Sequence, residues 1–354
     1  MEQRNPGKHP LPPRREDASH MEYMTEVRNF AIRSWFPEIA GEVGGIAAQA
    51  GMPAVIDADQ YAQLALEIDR SPAVAGWKRV MRSQQQLAWQ KLQDSYAADR
   101  EFWEARLTEA EERNPGRLHC DPDFHVPESA CEDIHLQPGG YCGDNLAGFV
   151  FYHGTRVFYQ GDNDFDEIHE ACVDDMRLPA DGQVRRILDL GCSIGQCTTV
   201  LKERHPEAEV WGLDVALPML RYAHMRATDM GVDVHFQQAL AENMQHDDDS
   251  FDAVLAYILF HEVPEHTFEP IVREMLRVLR PGGTLTVIDT PNSTVFPTPN
   301  WMWKVFDARY NCEPYSQAFG AFDFAALLDK VGFEDVSKET TNTFLLNTLA
   351  TKPD

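Results

Sequence analysis

Two aspartates and two glycines stand at spacings suited to holding a nucleoside. In RRILDLGCSIGQCTTV (185–200) an apolar run ends at Asp189, a loop carries Gly191 and Gly195, and a helical pattern opens at Gln196. Glycines in such a turn let the backbone pass close to a ligand and let the helix pack on the strand. The loop does not make a dinucleotide cradle, because Gly191, Ser193 and Gln196 occupy the three positions of G-x-G-x-x-G. Asp214 ends the next apolar run, EVWGLDV, where a carboxylate can accept from both hydroxyls of a ribose. Together these residues read as an adenosine site, with helix capping as the structural alternative for Asp214.

Histidines are the candidates for metal and proton chemistry. HEVPEH (261–266) spaces its histidines five apart rather than four, and Pro264 interrupts the helix that a zinc-protease motif needs. His119, Cys120, His125, Cys131, His135 and Cys142 share one stretch without any C-x-x-C spacing, which favours a polar loop over a zinc site. No metal ligand is assigned.

The elements that position these residues follow from rhythm. From Arg185 onward, apolar runs (RILDL, EVWGLDV, VDVHFQQA, FDAVLAYILF, TLTVIDT) alternate with amphipathic ones (QCTTVLKERH, PMLRYAHMRATDM, FEPIVREMLRVLRPGG). Continuous apolar strands alternating with helices predict an α/β parallel sheet covered on both faces, with ligands beyond the strands' carboxyl ends. Residues 1–20 are rich in Pro and charge and predict a disordered tail; 21–180 read as a mainly helical domain, and 181–354 as the ligand-binding domain. Within 21–180, Ser71-Pro72 opens a long helix that runs to Asn114-Pro115-Gly116, and AGFVFYHGTRVFYQ reads as a short strand or turn, with a helix from about Asp164.

Composition excludes some classes. A net charge of −26 opposes nucleic-acid binding. Seven scattered cysteines fit a reducing compartment better than a disulfide framework. Without a membrane-crossing run or a signal-type apolar segment, a soluble cytoplasmic protein is expected. A homodimer is compatible with this reading.

The motifs taken together resemble those of class I S-adenosylmethionine-dependent methyltransferases, of the small-molecule type that includes ubiquinone- and menaquinone-biosynthesis enzymes. ILDLGCSIGQCT resembles the family's first motif, VWGLDVALPMLRYA its acidic second strand and ALAENM its adenine loop. SFDAVLAYILFHEVP, LRVLRPGGTLTVID and LLDKVGFEDV follow in family order, so the likeness covers roughly 185–352. It implies a Rossmann-like fold with a mostly parallel seven-stranded sheet and helices on both faces, here with a large N-terminal helical extension. It also implies S-adenosylmethionine as cofactor. Asp189 and Gly191 would face its methionine part, with Ser193, Gly195 and Gln196 shaping the loop. Asp214 would bind ribose, Val215 and Met219 would pack on adenine, Ala241 and Glu242 would border it, and Tyr257 would lie near the amino-acid portion. Two positions depart from the family pattern: Ser193 replaces a common glycine, and Leu240 replaces an aspartate that often meets the adenine amino group.

The expected function is methyl transfer to a small acceptor. His261, on the loop past FDAVLAYILF, is the first candidate for a general base, and His153 and Tyr152 are second candidates. Aromatics in the insert (Phe296, Trp301, Trp303, Phe306, Tyr310, Tyr315, Phe319) suggest an apolar or aromatic acceptor, or else pack the insert on the N-terminal helices. Two alternatives remain: cofactor binding with another outcome, such as cyclisation or regulation, and modification of a protein.

Overall fold

The computed structural model describes residues 13–341 and 345–354. Ten strands occur among them: β1 Val55–Ile56, β2 Leu118–His119, β3 Arg186–Leu190, β4 Glu209–Asp214, β5 His235–Gln238, β6 Phe251–Tyr257, β7 Leu279–Asp289, β8 Phe296–Pro297, β9 Glu334–Thr340 and β10 Leu346–Thr351. Eight of them form the main sheet in the order β2-β5-β4-β3-β6-β7-β10-β9. Pairing is parallel from β2 to β7 and antiparallel across β10 to β7 and β9. The order turns at β3, whose neighbours are β4 and β6, so the carboxyl end of β3 is the crevice where an α/β sheet receives ligands.

Both faces of the sheet are covered because the apolar strands alternate their side chains between them. Leu188, Leu190 and Val254 pack with Phe268, Ile271 and Met275 of the helix Phe268–Val278. Ile187, Ala253 and Leu255 pack instead with Val200, Leu201 and Ala223 of the helices Gln196–Arg204 and Leu217–Met230.

The N-terminal half differs from the sequence expectation in several places. Residues 1–12 of the expected tail lie outside the described residues, but Arg15–Asn29 is a helix. Asp17 is buried there, accepting from Ser95 Oγ (2.6 Å) and pairing with Lys91 (3.2 Å), so tertiary contacts hold a segment whose composition suggests disorder. The helix opened by Ser71, whose hydroxyl accepts from Val74 N–H, breaks at Asp99 (φ −121, ψ 33) and restarts as Arg100–Arg113. Residues 147–158 are a helix, not a strand or turn. Its small residues decide this: a Cβ on Gly154 would lie 1.6 Å from the Trp89 ring and one on Gly148 2.4 Å from Tyr222 Cβ, so the helix docks at backbone distance. The helix expected from about Asp164 is Glu167–Asp174. Nor is this half purely helical. It supplies β2, which makes the sheet eight-stranded rather than seven-stranded, and β1, which pairs with β8 of the insert. Pro-Gly-Gly does not close a helix but lies inside β7, since the preceding helix stops at Val278.

Candidate active site

Asp189 and Asp214 end neighbouring strands β3 and β4, and the turn between β3 and the next helix folds back beneath them. Gly191 (φ 73) and Gly195 (φ 73) adopt left-handed backbone that favours glycine. A side chain on Gly191 would also press Leu259 at 3.0 Å, and one on Gly195 would press Phe236 at 2.9 Å. Ser193 takes the same region (φ 50) without being glycine, held by its N–H donating to Asp214 Oδ2 (2.8 Å). Asp214 Oδ1 accepts from Ala216 N–H (2.9 Å). Burial raises the Asp214 carboxyl to about 6, against the hydrogen bonds from Ala216 and Ser193. Burial likewise raises Asp189 to about 7, opposed by the bond from Thr198 Oγ1 (2.5 Å) and assisted by the charge of Asp214. The other oxygen of Asp189, Oδ1, is buried with no hydrogen-bond partner among the described residues.

A cavity of about 750 Å³ opens over these strand ends, within the range of small-ligand sites. Its wall includes Asp189, Gly191, Ser193, Gln196, Asp214, Val215, Met219, Ala241, Glu242 and Tyr257. Gly195 shapes the turn from behind the wall. Leu240 also faces the cavity and offers no side-chain acceptor. Tyr257 shares a hydrogen bond with Tyr159 (3.2 Å), and Gln196 donates to Asp166 (2.6 Å).

His261 lies in the same wall, buried. Its Nδ1 donates to Asp289 Oδ1 (2.5 Å), while Asp289 also accepts from the backbone N–H of Phe260 and Thr290. Burial opposes the imidazolium, but the charge and hydrogen bond of Asp289, with Glu262 and Glu313, outweigh it and raise His261 to about 9. Asp289 went unassigned from sequence, although a carboxylate ending an apolar strand is the signal that marked Asp189 and Asp214.

His153 and Tyr152 do not join this group. Because 147–158 is helical, Phe151, Thr155 and Phe158 share the cavity face. His153 points away to Tyr96 (Nδ1 to hydroxyl, 2.8 Å), and Tyr152 stacks on Tyr222. The insert aromatics divide similarly. Phe296 and Trp303 line the cavity, whereas Trp301, Phe306 and Phe319 are core residues, and Trp301 Nε1 donates to Ile56 O (2.7 Å). The N-terminal half adds to the wall His135, which the sequence reading left in a polar loop, and Tyr141, which it did not single out. His135 contacts Glu313 (2.7 Å) and Glu262 (3.3 Å), and Tyr141 donates to Glu262 (3.1 Å). His119 lies instead at the sheet edge, bonded to His235 (3.1 Å) and stacked near Trp211. No group of three His, Cys, Asp or Glu is placed to hold a metal among the described residues, and no described helix is long and apolar enough to cross a membrane.

Residues 187–283 match the family model described as a methyltransferase domain. Similar proteins include the demethylmenaquinone methyltransferase of Thermus thermophilus, 41% identical over 107 residues, covering 30% of this chain and 48% of that protein. That of Deinococcus radiodurans is 35% identical over 107 residues, 30% of this chain and 44% of that protein. The arsenite methyltransferase of Halobacterium salinarum is 26% identical over 219 residues, 59% of this chain and 54% of that protein. The chain thus spans under half the length of the Thermus and Deinococcus relatives.

S-adenosylmethionine fits the residues present. The unpartnered Asp189 Oδ1 can accept from the amino acid's ammonium, Asp214 can accept from ribose hydroxyls, and the space above Gly191 would be filled by any side chain. Fold, turn geometry and match agree that the chain carries a class I S-adenosylmethionine-dependent methyltransferase domain, resembling those of the menaquinone and ubiquinone group.

Proposed function

We propose that the protein transfers the methyl group of S-adenosylmethionine to a small molecule bound in the same cavity, with His261 as general base and Asp289 as its positioning residue. The observation that carries this reading is His261, bonded to Asp289 behind it and set in one cavity wall with Asp189 and Asp214 of β3 and β4. The cofactor supplies a methyl already activated by its positive sulfur, so the protein must align the acceptor, exclude water and remove a proton. Asp289 fixes the imidazole through Nδ1 and leaves Nε2 to face the acceptor. The base form must be neutral, and a cation entering the cavity opposes the imidazolium, lowering its pKa toward the working range. Asp189, ionised when an ammonium meets its free oxygen, holds the amino-acid part of the cofactor and Asp214 its ribose. Arg28, Ile32 and Phe36 from the N-terminal helices, with the 127–141 loop, cover the cavity and exclude solvent. Phe36, Phe151, Phe158, Phe296 and Trp303 line it, which suits an acceptor with an aromatic or apolar body.

Incubating cell extract with methyl-labelled S-adenosylmethionine and separating products by size tests the reading. Label is expected in small molecules. With the labelled acceptor isolated, His261→Ala should cut turnover about 10²–10⁴-fold with S-adenosylhomocysteine affinity nearly unchanged. Label confined to protein, or normal turnover in the variant, would overturn the acceptor class or the base respectively.

A further inference from the structure

We propose that the acceptor carries a positively charged, hydrogen-donating nitrogen and that Asp307 receives it, a proposal that rests on the small-molecule methyltransferase reading above. Asp307 lies on the insert helix Thr298–Tyr310 and faces the cavity. Arg28, His135 and Lys304 are close enough for it to feel their charge. Each of them is committed elsewhere. Arg28 donates to Gln85 Oε1 (2.9 Å) and Phe158 O (3.2 Å) and lies 4.5 Å from the Phe158 ring centre. His135 pairs with Glu313 and Glu262. Lys304, one helical turn before Asp307, donates instead to Pro291 O (2.9 Å) and lies 4.8 Å from the centre of Phe296.

No ion pair and no side-chain hydrogen bond joins Asp307 to any described residue. A half-buried carboxylate in a cavity wall without a partner is costly and is retained where a ligand completes it. Burial and the charge of Glu313 push the Asp307 carboxyl well above the ordinary range, so an arriving cation is what restores its ionised form. Thr290, beside Asp289, also lines the cavity, and its Oγ1 is buried without a hydrogen-bond partner among the described residues. The rings of Phe36, Phe296 and Trp303 also face the cavity, and aromatic faces attract a cation as well as an apolar body. Glu313 is already engaged, its Oε1 accepting from Asn311 Nδ2 (2.6 Å) and pairing with His135 (2.7 Å), whereas Asp307 has no such partner on either oxygen among the described residues. An anionic acceptor would meet both carboxylates.

The test uses the full chain saturated with S-adenosylhomocysteine and three probes of one size: 2-phenylethylamine, 2-phenylethanol and phenylacetate. Calorimetry should find the amine bound at least about tenfold more tightly than the alcohol, with the acid weakest. Asp307→Asn should abolish the amine's advantage while S-adenosylhomocysteine affinity is retained, and Asp307→Glu should keep part of it. Absent, equal or weaker binding of the amine, or an advantage that survives in Asp307→Asn, overturns the proposal. Failure of the wild-type chain to bind S-adenosylhomocysteine would instead overturn the underlying reading of the domain.

Discussion

Replacing Asp289 by Asn should give a loss of stability that depends on pH in a particular direction. In the folded chain His261 is buried, hydrogen-bonded to Asp289, and raised from 6.5 to about 9. At about 1.4 kcal/mol per pH unit, that rise corresponds to on the order of 3 kcal/mol of preference for the imidazolium in the folded state. Because the folded pKa is the higher one, this stabilisation is fully present below about 6.5 and is lost as pH rises through about 9. Asp289→Asn also disturbs the bonds from Phe260 and Thr290 N–H, each worth about 0.5–1.5 kcal/mol, but that loss is independent of pH. Urea unfolding of both proteins from pH 6 to pH 10 separates the two effects. The stability gap should be widest at pH 6 and narrow by on the order of 3 kcal/mol toward pH 10. A constant gap, or one that widens with pH, would refute the charged His261–Asp289 pair.

Two further outcomes follow from the geometry of the turn and of the helical half. Asp214→Ala should weaken S-adenosylhomocysteine binding by about 1–3 kcal/mol, and wild-type affinity should fall as pH drops through about 6, a limb that calorimetry should find missing in the variant. Gly154→Ala would put a methyl 1.6 Å from the Trp89 ring; it should lower stability by about 1–3 kcal/mol or more in urea unfolding, without altering cofactor affinity in the folded protein.

The Asp189–Asp214 part of the cavity was legible in the sequence because it is local. Asp189, Gly191, Gln196 and Asp214 belong to one strand–turn–helix–strand run, and the period of the apolar residues alone places both carboxylates at strand ends. The same logic placed His261 at the cavity, one loop past β6. Its partner was not, because Asp289 is 28 residues on and reaches it only when β6 and β7 lie side by side. His153 and Tyr152 were misplaced for a local reason. Glycines and aromatics in 147–158 look like strand or turn, and the close approach to Trp89 and Tyr222 that makes them helical is invisible without the partners. The charged wall of the cavity depended most on tertiary structure. His135, Tyr141, Glu262, Asp307 and Glu313 come from the 127–141 loop, the loop after β6 and the insert, segments far apart in the chain. Periodicity reports which face of an element is buried. Which charges share a cavity is decided only when the N-terminal helices dock on the insert and withdraw them together from water.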